Sequence, residues 1–173
     1  ARGHESPVGL FAGGSSVGIG AAVDVVEVTK DLGARFAMTH PLSISGNLNV
    51  QALSKEDLLS VAVGAGLSGN VGIGGAASAF VLDLETIAAI GTLTAPATVT
   101  VGGSVQLAAQ DDTRIDQFPG GVGVAGSVGV GGSASVVDVK KKDVTAIVYN
   151  GVGIHAAGGG GSIHAATGEF DVA

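Results

Sequence analysis

The chain has 173 residues, enough for one domain of ordinary size, with 31 Gly, no Cys, no Trp and a hydrophobic fraction of 46%. A net charge of −7 with only 13% charged residues argues against nucleic acid, because phosphate binding needs a basic face. The absence of Cys excludes a disulfide scaffold and a thiolate metal site.

The chain opens at Ala1 in mid-pattern with no basic-then-apolar leader, as a stretch taken from something longer would. Val17 and Ile19 alternate with glycines, so one face of that strand is nearly flat and another layer can approach it closely. Val23-Asp24-Val25 alternates apolar and polar, as a half-buried strand does. Pro41 punctuates, and Gly46–Ala52 follows as a strand. Ser54-Lys55-Glu56-Asp57 reads as a polar turn, and Lys55–Val63 is the only stretch with any helical character. Val71/Ile73 repeat the glycine alternation, Pro96 breaks it, and Val99–Val101 and Val105–Leu107 alternate again. Asp111-Asp112-Thr113-Arg114 reads as a second polar turn, and Pro119 as further turn punctuation. The basic run Lys140-Lys141-Lys142, followed by Asp143, reads as a solvated turn, and Asn150-Gly151 as a tight one.

These segments repeat. Ser16–Ala22, Asn70–Ala76 and Ser127–Ser133 align, with Val17, Val71 and Val128 54 and then 57 residues apart. Gly46–Ala52, Gly103–Ala109 and Gly161–Thr167 recur in step. The chain is expected to be one repetitive β domain over 1–173, with repeats of about 1–57, 58–114 and 115–173. The fold class expected is all-β, a β-solenoid with two or three short rungs per repeat; a β-sandwich-like stack is the alternative. Both termini fall at one phase of the repeat with no capping element visible, so copies are expected to join head to tail through open β ends.

Leu58–Leu82 and Val144–Gly168 carry no charged residue, yet their glycines and polar breaks make poor spanning helices, so no transmembrane segment is expected.

The phrase Val128–Val139, then Thr145–Val148, together with Ser104–Asp116, resembles the repeats of very large bacterial filamentous adhesins, the leukotoxin-type relatives of filamentous haemagglutinin. The resemblance runs through all three copies. It implies a right-handed parallel β-helix, an extracellular or bacterial cell-surface location, and a structural stalk or filament segment supporting adhesion.

Gly64–Gly69 and Gly121–Gly126 both read G-x-G-x-x-G, but no helix follows and they lie 57 apart, so they are architectural. Asp111, Asp112 and Asp116 are candidates for weak surface Ca²⁺, against the plainer reading of a solvated turn. His155 and His164, on adjacent rungs with Glu169, would be candidates for a transition metal. Ser6 beside His4 and Glu5 is no triad, and there is no nucleophile elbow. Neither catalytic residues, an enzymatic activity nor a required cofactor is expected. The alternative to a scaffold is a module binding a host receptor, a glycan or calcium.

Overall fold

A computed structural model describes residues 2–5, 8–92, 96–168 and 170–172. No helix occurs among them. The strands are β1 (Arg2–Glu5), β2 (Val8–Ala12), β3 (Val17–Phe36), β4 (Leu42–Ile44), β5 (Leu48–Ser68), β6 (Val71–Ile90), β7 (Ala97–Val101), β8 (Val105–Ala125), β9 (Val128–Val148), β10 (Val152–Ala156), β11 (Gly161–Ala166) and β12 (Phe170–Val172).

The chain winds as a parallel β-solenoid. Sheet A runs β3-β6-β9, the short sheet C runs β4-β7-β10, and in sheet B β8 lies between β5 on one side and β11 and β12 on the other. Val17 pairs with Val71 and Val71 with Val128, while Leu48 pairs with Val105 and Val105 with Gly161. One sequence repeat is therefore one rung. The expectation of two or three short rungs per repeat is corrected, because alternation runs unbroken through strands of 20 and 21 residues. At about 3.3 Å per residue such a strand spans roughly 65 Å.

Three segments expected to be turns lie inside strands. Ser54–Asp57 belongs to β5 and Asp111–Arg114 to β8, because their inward members meet each other inside the solenoid. Lys140–Lys142 belongs to β9, where the register slips between Leu82 and Asp83 and Lys140 is the extra residue of a bulge. Pro119 sits within β8 opposite Ala62. Beyond Ile115 no described strand pairs with the other side of β8, so a missing N–H can be tolerated there. Lys55–Val63 is strand, not helix. Asn150-Gly151 does turn, with Gly151 at φ +82°.

Each rung is a long flattened loop whose interior changes along its length. Near sheet C the sheets enclose an apolar core of Leu48, Val50, Ile90, Val99, Val101 and Leu107. A second apolar cluster, built on Val28, Phe80, Leu82, Leu84 and Ile115, lies farther along. At the far end, tight turns at Ser68–Val71 and Ala125–Val128 join the two sheets, and the inward residues are glycines. A β-carbon on Gly20 would strike the carbonyl of Ala65, one on Gly66 that of Ile73, and one on Gly74 that of Val122. The sheets there touch backbone to backbone, nearer than the ~10 Å of ordinary sheet packing. The alternating side chains point outward, so Val17, Ile19, Val63 and Leu67 are 50–60% exposed. The tip is a thin blade with glycine inside and aliphatic residues outside.

The two ends of the stack differ. At the third rung Ile163 is 62% exposed although its register partner Leu107 is fully buried, and Val148, Ile154 and Ile163 border an apolar cavity of about 270 Å³. This end is open among the described residues. At the first rung β1 and β2 run antiparallel along β3, Arg2 opposite Thr29 and Ala12 opposite Ile19. The expectation of an uncapped end on both sides is corrected for sheet A.

Candidate functional site

The two apolar clusters are separated by charge. Inward positions of β3 run Val26, Val28 and then Lys30, which is only 5% exposed. Alternation on β5 turns Ser54 and Glu56 toward it, and on β8 it turns Asp111 and Thr113. Lys30 Nζ donates to Ser54 Oγ and Glu56 Oε1, both at 2.8 Å, and to Asp111 Oδ2. Thr86 on β6 donates to Asp111 Oδ2 at 2.9 Å and Thr113 to Oδ1 at 3.0 Å. From the third rung, Lys142 Nζ reaches Asp111 Oδ1 at 3.3 Å and donates to Thr113 Oγ1 at 3.1 Å. Asp111 is 1% exposed and thus bonded to all three rungs.

Burial pushes the Asp111 carboxyl up. Hydrogen bonds from Lys30, Thr86 and Thr113, with the Lys30 charge, outweigh that and hold it below its ordinary value. The site is an internal ion cluster in which both Asp111 oxygens and Glu56 Oε1 are committed to cations and hydroxyls of the chain itself, while Glu56 Oε2 is buried without a hydrogen-bond partner.

This geometry divides the calcium candidates. Asp111 faces inward, whereas Asp112 and Asp116 are on the outer face of β8. Asp112 accepts from Gln110 Nε2 at 3.2 Å, and Asp116 pairs with Arg114 Nε at 3.2 Å. Along the outside of sheet B, Lys55 stands beside Asp112 and Arg114 lies between Asp57 and Asp171. The hydrogen bond to Asp116 raises the Arg114 pKa, and the charges of Asp116, Asp171 and Asp57 add to it. Carboxylates and cations interleave on this face. The three aspartates share no common face.

His155 lies on β10 and His164 on β11, so both belong to the third rung and not to adjacent ones. They register with Thr100 and Ala108 in different sheets. Glu169 is outside the described residues, as is Ser6; His4 and Glu5 are in β1. Both G-x-G-x-x-G stretches run from the end of a strand into the closing turn, and a strand follows each. Their glycines serve the close approach of the two sheets.

Lys30 and Thr86 carry no motif, and Glu56 and Lys142 lie in stretches with the composition of turns. The signal for Lys30 was its parity: it occupies the same alternate positions as Val26 and Val28. Nothing local to Asp111 announces that a lysine 81 residues away will meet it.

No family model matches the chain, and neither does any curated protein or solved structure. Among the described residues no helix is long and apolar enough to cross a membrane.

Proposed function

We propose that this chain is a structural segment of an extracellular stalk, of the kind that large bacterial filamentous adhesins use to support adhesion. Its work is length, stiffness and repeated surface. The observation that carries this reading is the equivalence of repeat and rung: each period adds one layer in register to a continuous parallel stack. A stack of this type grows along one axis at about 4.8 Å per rung. The internal ion cluster supports the same reading, because its groups bond to one another across rungs.

The test compares this chain with one in which the 57-residue unit of the second rung is duplicated in phase. Scattering and electron microscopy should give a longest stacking dimension greater by about 5 Å per added unit, with unchanged cross-section. A glycan array and a calcium titration are run alongside. Saturable binding to one glycan, or a calcium-dependent rise in melting temperature, would replace the stalk with the binding-module reading.

A further inference from the structure

The first edge of sheet A is occupied in a way no other edge is. Every rung-to-rung pairing in the three sheets is parallel, but β1 and β2 lie on β3 antiparallel. The chain touches the stacking register once before leaving it: Gly14 makes a parallel bridge with Ser68, which pairs in turn with Ala125. Carried back in that register, Ala12 and Leu10 fall in phase with Gly66 and Gly64, and with Gly123 and Gly121. Those glycines face the opposite backbone, and a β-carbon on Gly64 would strike the carbonyl of Gly75. Leucine and alanine at these phases are incompatible with a further strand of the blade. The segment folds back instead and satisfies the ladder of β3.

A bare parallel edge is a template for another strand. The edge beneath the segment belongs to the same ladder that joins β3 to β6 and β6 to β9. At the opposite end β9 carries the same glycine–valine phrase, and no described strand pairs with its outer side. We infer that β1 and β2 form a strap guarding the β3 edge, and that the partner it excludes is β9 of a second copy of this chain. Displacing the strap exposes the acceptor and permits end-to-end joining. This goes beyond the stalk reading and does not depend on where the protein is displayed.

The experiment uses the 173-residue chain, in which the absence of Cys makes engineered thiols unambiguous. Leu10→Cys with Ala21→Cys tests the strap register, since these residues are direct partners and Ala21 is exposed. Phe11→Cys with Ala65→Cys tests the alternative in which the segment continues sheet B. A third protein, Gly9→Pro with Leu10→Pro, removes whichever of these two neighbouring N–H groups faces β3 and disrupts the strap ladder. Sedimentation is then followed over a hundredfold range of concentration. The expected result is disulfide closure in the first pair only. The locked chain should stay monomeric, and the proline variant should rise at least twofold in weight-average mass with native strand content by circular dichroism. Closure of the second pair instead of the first overturns the strap. A native-like proline variant that stays monomeric, or a locked chain that associates equally well, overturns its guarding role. If the proline variant misfolds, the locked chain decides: assembly of the oxidised form at the concentrations where the unsubstituted chain assembles refutes the inference, and suppressed assembly that returns on reduction supports it.

Discussion

At the scale of residues, Asp111 and Gly74 hold the structure by opposite means. Asp111 bridges two lysines, Lys30 from the first rung, which also pairs with Glu56, and Lys142 from the third. Replacing it by Ala takes one carboxylate from a buried cluster of two lysines and two carboxylates, and removing one partner of a buried pair costs about 3–5 kcal/mol. Urea denaturation of Asp111→Ala checks that figure. The acid limb follows from the depressed carboxyl. Its stabilisation is complete above the ordinary value near 3.8 and is lost as pH falls below it toward the folded value. Melting temperatures between pH 5 and pH 2 should therefore drop at the acid end, and the drop should be shallower in Asp111→Asn. Gly74 acts through the side chain it lacks, since a β-carbon there would strike the carbonyl of Val122. Gly75, one residue on, faces outward with nothing in the way. Gly74→Ala should destabilise by about 3 kcal/mol, the upper end for overpacking, because a backbone carbonyl cannot rotate aside. Gly75→Ala should stabilise by about 0.5–1 kcal/mol, the usual penalty of a mid-strand glycine. Chemical denaturation of the two variants settles both signs.

Elements show how alternation alone organises this fold and where local reading misleads. In β3, β5, β6 and β8 every second residue faces in for about 20 residues, and the inward set passes from aliphatic through charged or hydroxyl residues and a second apolar cluster to glycine. Strand character and the flat glycine face were legible, because they are properties of neighbouring residues. The extent of the strands was not. Ser54–Asp57 and Asp111–Arg114 carry the composition of turns, and only the presence of Lys30 and Lys142 across the solenoid makes them tolerable inside one. Half of each tetrad is outward and solvated, so one short polar stretch serves two environments. The same parity splits the aspartate cluster, sending Asp111 to the interior and Asp112 and Asp116 to the surface. Amide hydrogen exchange should rank the elements by cover. β6, paired along both sides, and β8 as far as Ile115 should be slowest, and β9 with its bulge faster.

As a whole molecule the chain is a slab: roughly 65 Å along the strands, three rungs high among the described residues, and thin at the glycine tip. Small-angle scattering should return an anisotropic particle with a longest dimension near that length. The radius of gyration should exceed the ~16 Å expected of a compact globule of this size. A compact value would rule out the extended rung. The faces of the blade are aliphatic on both sides, with Val17, Ile19, Val61 and Val63 exposed, and their glycine partners within exclude any further layer between the sheets.

The sequence by itself determined an all-β chain with a threefold period, and it tied the paired glycine motifs to architecture through their spacing of one period. Period and alternation survive any fold that stacks equivalent strands, so they can be read without coordinates. Only the tertiary structure decided that the period is a single rung, that the glycines face inward while the aliphatic residues face water, and that Lys30 meets Asp111. Each of those depends on which strands become neighbours across the interior. The strap on β3 belongs with them, for Leu10 and Ala12 are unremarkable until the close approach of the two sheets makes a side chain at their phase too large.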